Sequence, residues 1–427
     1  MDINRRTAYY TLIDIETGKA YSNIALNRQI EENKPDSPSL VREMVYGVTE
    51  NKLYLDYILD QLIPKGVHSV KKNAHVLLRL GLYQIIYMDS VPDYAAVDET
   101  VKMARKFCYG KDRFINGVLR SYCRMRDDIV LPDPEEEPLR YLCVKYSFAD
   151  WIVKLWLEQY GFEKTEEILA ASNTKPRVSI RVNLMEIGVA ELRKTLEDRG
   201  FVVSHGRYSD RALFVKGHDL LLTPEYAKGY FAVQDESSIV AAEVVAPKTG
   251  ETVIDVCAGP GGKTTAMAEI MGNNGKIISC DIYEKKIEQI KEEAARLGIT
   301  ILDVRLRDAS EADPELAESA DKVLCDVPCS GLGVIRRKPE IKYKVIEDNG
   351  LELSKLQYQI LEASSTYVKQ GGFLVYSTCT VNKIENIDVV SRFLQNHKEY
   401  DLIRSRQLLQ GVDETDGFFI CKMRRRV

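Results

Sequence analysis

Apolar positions recur at three- and four-residue intervals through the first 130 residues. Leu40, Val41, Met44, Val45 and Val48 form one stripe, Leu55, Ile58, Leu59 and Leu62 a second, and Val76, Leu77, Leu80, Tyr83 and Ile86 a third. Each stripe fits one face of a helix, so residues 1–130 are predicted to be wholly helical. The segment LPDPEEEPL at 131–139 breaks that period with three prolines and four acids, and reads as a linker. Residues 140–235 are mixed, with helices from Trp151 to Tyr160, at 162–171 and at 189–198, and an alternating strand from Val178 to Val182. That pattern predicts a small α+β subdomain, with Trp151 and Trp156 as core anchors.

From 236 to 427 short apolar strands alternate with amphipathic helices. TVIDV (252–256), KIISCD (276–281), ITILDVRL, DKVLCD and FLVYSTC are the strands, and one intervening helix carries Ile287, Ile290, Ala294 and Leu297 on a single face. Buried strands in that rhythm predict an α/β, Rossmann-like, doubly wound and mostly parallel sheet. The chain is therefore expected to be multidomain: an all-α domain, a linker, an α+β subdomain and an α/β domain.

Composition narrows the function. The 427 residues are 45% hydrophobic and 29% charged, which is globular rather than disordered. A net charge of −5 excludes histone-like binding by bulk charge, so any nucleic-acid contact must be local. One local contrast exists: residues 101–126 hold eight basic side chains against the single acid Asp112. Lys102, Arg105, Lys106 and Arg113 are the candidate phosphate contacts there, and a solvated helix face is the equal alternative. No uncharged apolar run approaches the roughly 18 residues of a membrane span, and the N-terminus lacks an apolar signal core, so a cytoplasmic location is expected. Nine scattered cysteines without a CxxC pair, and five scattered histidines, argue against disulfides and zinc. A monomer without metal or membrane is the expectation.

In an open parallel sheet, ligands bind beyond the carboxyl ends of the strands. The first such end is Asp255-Val-Cys-Ala-Gly-Pro-Gly-Gly-Lys263-Thr. It is not a Walker loop, because Cys257 stands where that motif needs glycine, and Thr264 breaks a GxGxxG fingerprint. What remains is a turn poor in side chains at a helix N-terminus, open to a ligand's carboxylate or phosphate. Asp281 ends the second strand, where such folds place an acid against ribose hydroxyls, and Asp308 follows the third, where it can accept from an adenine amino group. A helix cap is the alternative for any one of them; three in series behind a glycine turn favour a nucleoside cofactor.

The fourth strand ends Cys325-Asp326-Val-Pro-Cys329-Ser-Gly, and another ends Ser377-Thr-Cys379-Thr. Cys108, Cys123, Cys143, Cys280, Cys325 and Cys421 read as inert packing thiols, and Cys257 as cofactor-lining. Cys329 and Cys379 sit where a substrate must lie, with Asp326 beside them. This set suits methylation at C5 of cytosine, a carbon too weakly nucleophilic until a thiolate adds at C6. Asp326 can hold a proton against N3, and a second thiol can assist loss of the C5 proton.

Asp255–Lys263, Asp326-Val-Pro-Cys-Ser-Gly and Ser377-Thr-Cys-Thr resemble motifs I, IV and VI of the RNA cytosine-C5 methyltransferases that use S-adenosylmethionine. Gln234-Asp-Glu-Ser-Ser238 and Pro176-Arg-Val-Ser-Ile-Arg-Val-Asn183 are similar to segments preceding that catalytic domain, and the N-terminal helices resemble the NusB RNA-binding fold. Together these are similar to the RsmB family, also called Sun or Fmu, which methylates a cytosine of 16S ribosomal RNA, cytosine 967 being its type position. The resemblance implies that Cys379 is the nucleophile, that Cys329 serves product release, and that Asp326 lines the active site. The Pro-Cys cysteine, here Cys329, would attack instead in a DNA methyltransferase; both cysteines are present. It implies cofactor contacts from Cys257, Ala258, Gly259, Pro260, Gly261, Gly262 and Lys263, with Asp281 on the ribose and Asp308 on the adenine. Gly259, commonly alanine in the family, and Thr380, commonly serine, are departures. Two other functions remain open: the same chemistry on transfer RNA, and a non-catalytic RNA-binding assembly factor.

Overall fold

The computed structural model describes residues 1–18, 22–344 and 349–427. The chain divides into two compact units, one formed by 1–173 with 335–344 and the other by 174–334 with 345–427.

The first unit is helical. Helices Ile3–Glu16, Ser22–Asn33, Pro38–Glu50, Lys52–Leu62, Asp93–Phe107 and Asp112–Met125 surround Lys72–Tyr87, whose residues are buried on almost every side. A helix apolar all round belongs in the centre, and Leu77, Leu78, Leu80 and Leu82 hold it there. Asp2 caps the first helix through the Arg5 N–H, and Ser37 caps the third ahead of a proline in its first turn. Arg79 is anchored by Asp56 at 2.5 and 2.7 Å and by Glu16 at 2.7 Å.

The segment 131–139 and the helices after it cluster with this unit by contact. Helices Pro138–Tyr146, Asp150–Tyr160 and Phe162–Ser172 cluster with it. The physical reason is apolar: Leu142, Phe148, Trp156, Ile168 and Leu169 are buried, which prolines and acids in the preceding loop do not prevent. Trp156 is a core anchor as expected, whereas Trp151 is only partly buried. The distant segment 335–344 completes the unit. Lys342 is fully buried, its Nζ donating to Glu50 O at 3.1 Å, Tyr146 O at 3.3 Å and Asn173 Oδ1 at 2.5 Å. The Tyr343 hydroxyl lies 3.1 Å from Glu50 O and 3.0 Å from Ser147 O.

The second unit holds two sheets. Strands β1 (Val178–Val182), β2 (Val202–His205), β3 (Ala212–Lys216) and β4 (Phe231–Val233) form an antiparallel sheet in the order β2-β3-β1-β4. The larger sheet comprises β5 (Thr252–Asp255), β6 (Lys276–Asp281), β7 (Leu302–Leu306), β8 (Ala320–Asp326), β9 (Val368–Thr378), β10 (Tyr400–Leu408) and β11 (Phe418–Arg425), in the order β10-β11-β9-β8-β5-β6-β7. Strands β5 to β9 are mutually parallel, and β11 and β10 add antiparallel pairs at one edge. The order reverses between β5 and β8, which is where such a sheet opens a ligand crevice. Asp255, Asp281 and Asp326 all end strands on that side. No helix among the described residues is long and apolar enough to cross a membrane.

Candidate active site

The turn after β5 is held open by backbone geometry. Gly261 has φ +107°, and a Cβ there would lie 3.2 Å from Ile290 Cα. Its N–H is taken by Ala258 O at 2.7 Å, and Ala258 donates to Cys280 O at 2.8 Å, so the turn is tied to β6. Gly259 donates its N–H to Asp281 Oδ2 at 3.0 Å. A Cβ at Gly259 would lie 2.6 Å from that oxygen and 2.4 Å from Lys286 Cδ, so the departure from alanine lets Asp281 close directly on the turn. The fit to a nucleoside carrying a carboxylate is good: a cradle without side chains, a helix N-terminus and a buried acid stand together. Asp308 is exposed and accepts from Ser310 N at 2.9 Å and Ser310 Oγ at 2.7 Å. It lines a cleft of about 350 Å³ with Arg305, Arg307 and Asp313.

Asp255 is fully buried. Burial, reinforced by the Asp326 carboxylate, pushes its pKa up to about 7 although Thr264 Oγ1 donates to it at 2.7 Å. The turn is also gripped from the antiparallel sheet. Arg181 of β1 is fully buried, donating to Gly262 O at 2.8 Å, Thr265 Oγ1 at 3.1 Å and Glu269 at 2.7 and 3.0 Å, with Gln234 beside it.

Across the crevice, Cys329 and Cys379 come together with a sulfur–sulfur distance of 3.2 Å. They follow β8 and β9, neighbours whose register sets Asp326 opposite Ser377. The Ser377 hydroxyl donates to Asp326 Oδ1 at 2.8 Å, and Gly333 donates its N–H to Cys379 O at 3.0 Å. The hydrogen bond to Cys379, then burial, holds the Cys329 thiol well above its ordinary pKa. Lys263 was expected only at the cofactor. Its ammonium also donates to Asp326 Oδ2 at 2.7 Å and lies 5.1 Å from the Phe418 ring centre. Burial lowers its pKa, but the Asp326 carboxylate outweighs that and holds it above the lysine range. Cys143, Cys325 and Cys421 are pushed up to about 12 chiefly by burial, Cys280 to about 11, and Cys257, Cys108 and Cys123 are raised by the same cause.

Sequence reasoning missed the groups behind the thiols. Glu385 is fully buried and accepts from Ser330 N at 2.8 Å, Ser330 Oγ at 2.6 Å, Gln357 Nε2 at 3.1 Å and Asn382 Nδ2 at 3.1 Å. Asn386 accepts from Thr378 Oγ1 at 2.5 Å and donates to Thr380 O at 3.0 Å. Proximity to Cys379 in sequence was the one available signal.

In the helical unit the basic stretch is less charged than its window suggested. Lys102 pairs with Asp98 at 2.7 Å and Glu99 at 2.8 Å, Arg105 with Asp112 at 3.6 Å, and Arg126 with Asp93. Starting the count at 101 left out Asp93, Asp98 and Glu99 of the same helix. Lys106 and Arg113 are exposed.

The profile of the family described as 16S rRNA methyltransferase RsmB/F matches residues 242–424, that of the NusB family 2–124, and that of the RsmF/B-like ferredoxin-like domain 148–219. The probable ribosomal RNA small subunit methyltransferase B of Bacillus subtilis (strain 168) is 39% identical, over 99% of this chain and 98% of its own length. The chain belongs to the RsmB family. The corresponding methyltransferase B of Vibrio cholerae is 32% identical over 97% of this chain and 94% of its own. The crystal structure of PH0851 superposes with a TM-score of 0.81 at 28% identity, covering 99% of this chain and 98% of that one. As an RsmB-family member the chain is an S-adenosylmethionine-dependent RNA methyltransferase, with a NusB domain, a ferredoxin-like domain and a mostly parallel methyltransferase domain. Among the described residues no cluster of three His, Cys, Asp or Glu side chains could hold a metal.

Proposed function

We propose that this protein methylates C5 of a cytosine in small-subunit ribosomal RNA, of the position-967 class, through a covalent adduct. The observation that carries the reading is the pair of thiols 3.2 Å apart beside Asp326. S-adenosylmethionine supplies the methyl group when bound; Cys257–Lys263 would hold it, with Asp281 at the ribose and Asp308 at the adenine.

Cys379 attacks C6, giving C5 the electron density it lacks. Asp326 faces the N3 edge, steadied by Ser377 on one oxygen and Lys263 on the other. After methylation C5 carries both its proton and the new methyl group. Cys329 assists removal of that proton, the C5–C6 double bond re-forms, and the Cys379 sulfur leaves. The target base must leave its stack, which costs least in a loop or junction. Lys102, Arg105, Lys106 and Arg113 contribute RNA contacts, and the NusB domain favours ribosomal over transfer RNA. The protein acts in the cytoplasm as a monomer.

Cys379→Ala should abolish methyl transfer, and Cys329→Ala should accumulate a protein–RNA adduct. Activity surviving in Cys379→Ala overturns the assignment. Bisulfite mapping of ribosomal and transfer RNA from a deletion strain identifies the substrate.

A further inference from the structure

Both thiols are held through their immediate neighbours, and each by a different residue of one turn. Pro328 and Ser330 flank Cys329. Gln357 Nε2 donates to Pro328 O at 2.9 Å and to Glu385 at 3.1 Å, and Ser330 donates both its N–H and its hydroxyl to Glu385. Thr378 and Thr380 flank Cys379, and both are bonded to Asn386, whose Nδ2 is also 2.7 Å from Gln407 Oε1. Besides the sulfur contact and the Gly333 bond to Cys379 O, Ser330 Oγ joins the two loops through Thr380 Oγ1 at 2.8 Å.

We propose that Glu385 and Asn386 are positioning residues with divided tasks: Glu385 fixes the loop of Cys329, and Asn386 fixes the loop of Cys379. This rests on the reading of the two thiols given above. Neither residue reaches substrate, since both are buried to within 1% of full burial. Four donors converge on the two oxygens of Glu385, a demand met by an acceptor-only carboxylate and not by an amide, whose NH2 would face a donor. Asn386 must accept from one neighbour of Cys379 and donate to the other, which an amide does and a carboxylate does not. The adjacent side chains thus differ in the way their tasks require.

The division predicts two opposite phenotypes. Glu385→Gln should still form the adduct on an unmodified small-subunit ribosomal RNA transcript with S-adenosylmethionine, but release it slowly. Turnover should fall about tenfold or more, with a denaturant-resistant band accumulating. Asn386→Ala should lose adduct formation itself by a similar factor. Binding of S-adenosylmethionine should stay within about twofold in both, because Asp255–Lys263 and Asp281 lie outside the network. Ser330→Ala removes one donor, keeps the carboxylate, and should shift Glu385's phenotype in the same direction by about threefold, which covers a Glu385→Gln chain that does not fold. If the Glu385 and Asn386 variants lose adduct and turnover in equal proportion, or if Glu385→Gln and Ser330→Ala turn over like the parent, the division is wrong. The parent protein run alongside separates the two readings: absence of any parent adduct overturns the cytosine reaction and this inference with it, whereas a parent adduct with matching variants overturns this inference alone.

Discussion

The Cys329 and Cys379 sulfurs stand 3.2 Å apart at the ends of neighbouring parallel strands, closer than two side chains that must hold one base between them need to be at rest. Such a pair is open to two-electron oxidation. Hydrogen peroxide would turn one thiol into a sulfenic acid with release of water, and the other thiol would displace a second water as the S–S bond forms. Methyl transfer should fall after peroxide and return with dithiothreitol, and peptide mapping should find positions 329 and 379 joined. Irreversible loss with no such cross-link would contradict the expectation.

Asp255 should make stability fall as pH rises from about 4 to about 7. Its folded pKa is near 7, whereas an unfolded aspartate titrates near 3.9. Below about pH 4 both states hold the proton. Between about pH 4 and pH 7 the unfolded chain has released it and the folded chain has not, so stability declines as pH rises and levels off above 7. Urea midpoints at pH 5 and pH 7.5 should show this decline reduced in Asp255→Asn; an equal decline in both proteins would count against it.

Arg181 joins the antiparallel sheet to the helix that opens with the cofactor turn. Arg181→Met leaves Glu269 buried with only Arg211 as its cationic partner and leaves Gly262 O to Thr265 Oγ1, so a loss of about 3–5 kcal/mol is expected. Chemical denaturation measures that loss, and calorimetry should show weaker S-adenosylmethionine binding. Unchanged donor affinity would mean that the turn keeps its shape without the clamp.

Charge on the helical unit should matter through few side chains. Lys106→Glu with Arg113→Glu should weaken RNA binding and flatten its dependence on salt, because each phosphate contact adds close to one to the log–log slope. Lys102→Glu should do less, its ammonium being already shared by Asp98 and Glu99. Equal slopes in parent and double variant would reduce the patch to a solvated face.

The parts legible in sequence were those written locally. A glycine turn, the acids at strand ends and the two cysteines each occupy a few consecutive residues, and the buried parallel strands are continuous apolar runs. Strand β10 was missed because it is an exposed edge, with Asp401, Arg404 and Arg406 in place of apolar alternation. Glu385, Gln357 and Arg181 were missed for another reason. Their partners lie 55, 29 and 81 to 88 residues away, and nothing in the surrounding composition marks a carboxylate or guanidinium as buried. The helices Asp150–Tyr160 and Phe162–Ser172 were legible from their period, but the segment 335–344 that clusters with them was not, since periodicity shows which face is apolar but not what it packs against.

Lys342 and Tyr343 carry a consequence for synthesis. The carbonyls of Glu50 and Ser147 are made early, yet the Lys342 and Tyr343 side chains that bond them leave the ribosome only after more than half of the methyltransferase domain has been translated. A fragment stopped after Asn173 is therefore an unfinished fold with bare backbone acceptors in its interior, and the nascent N-terminal helices must wait for their last ten residues before they can close.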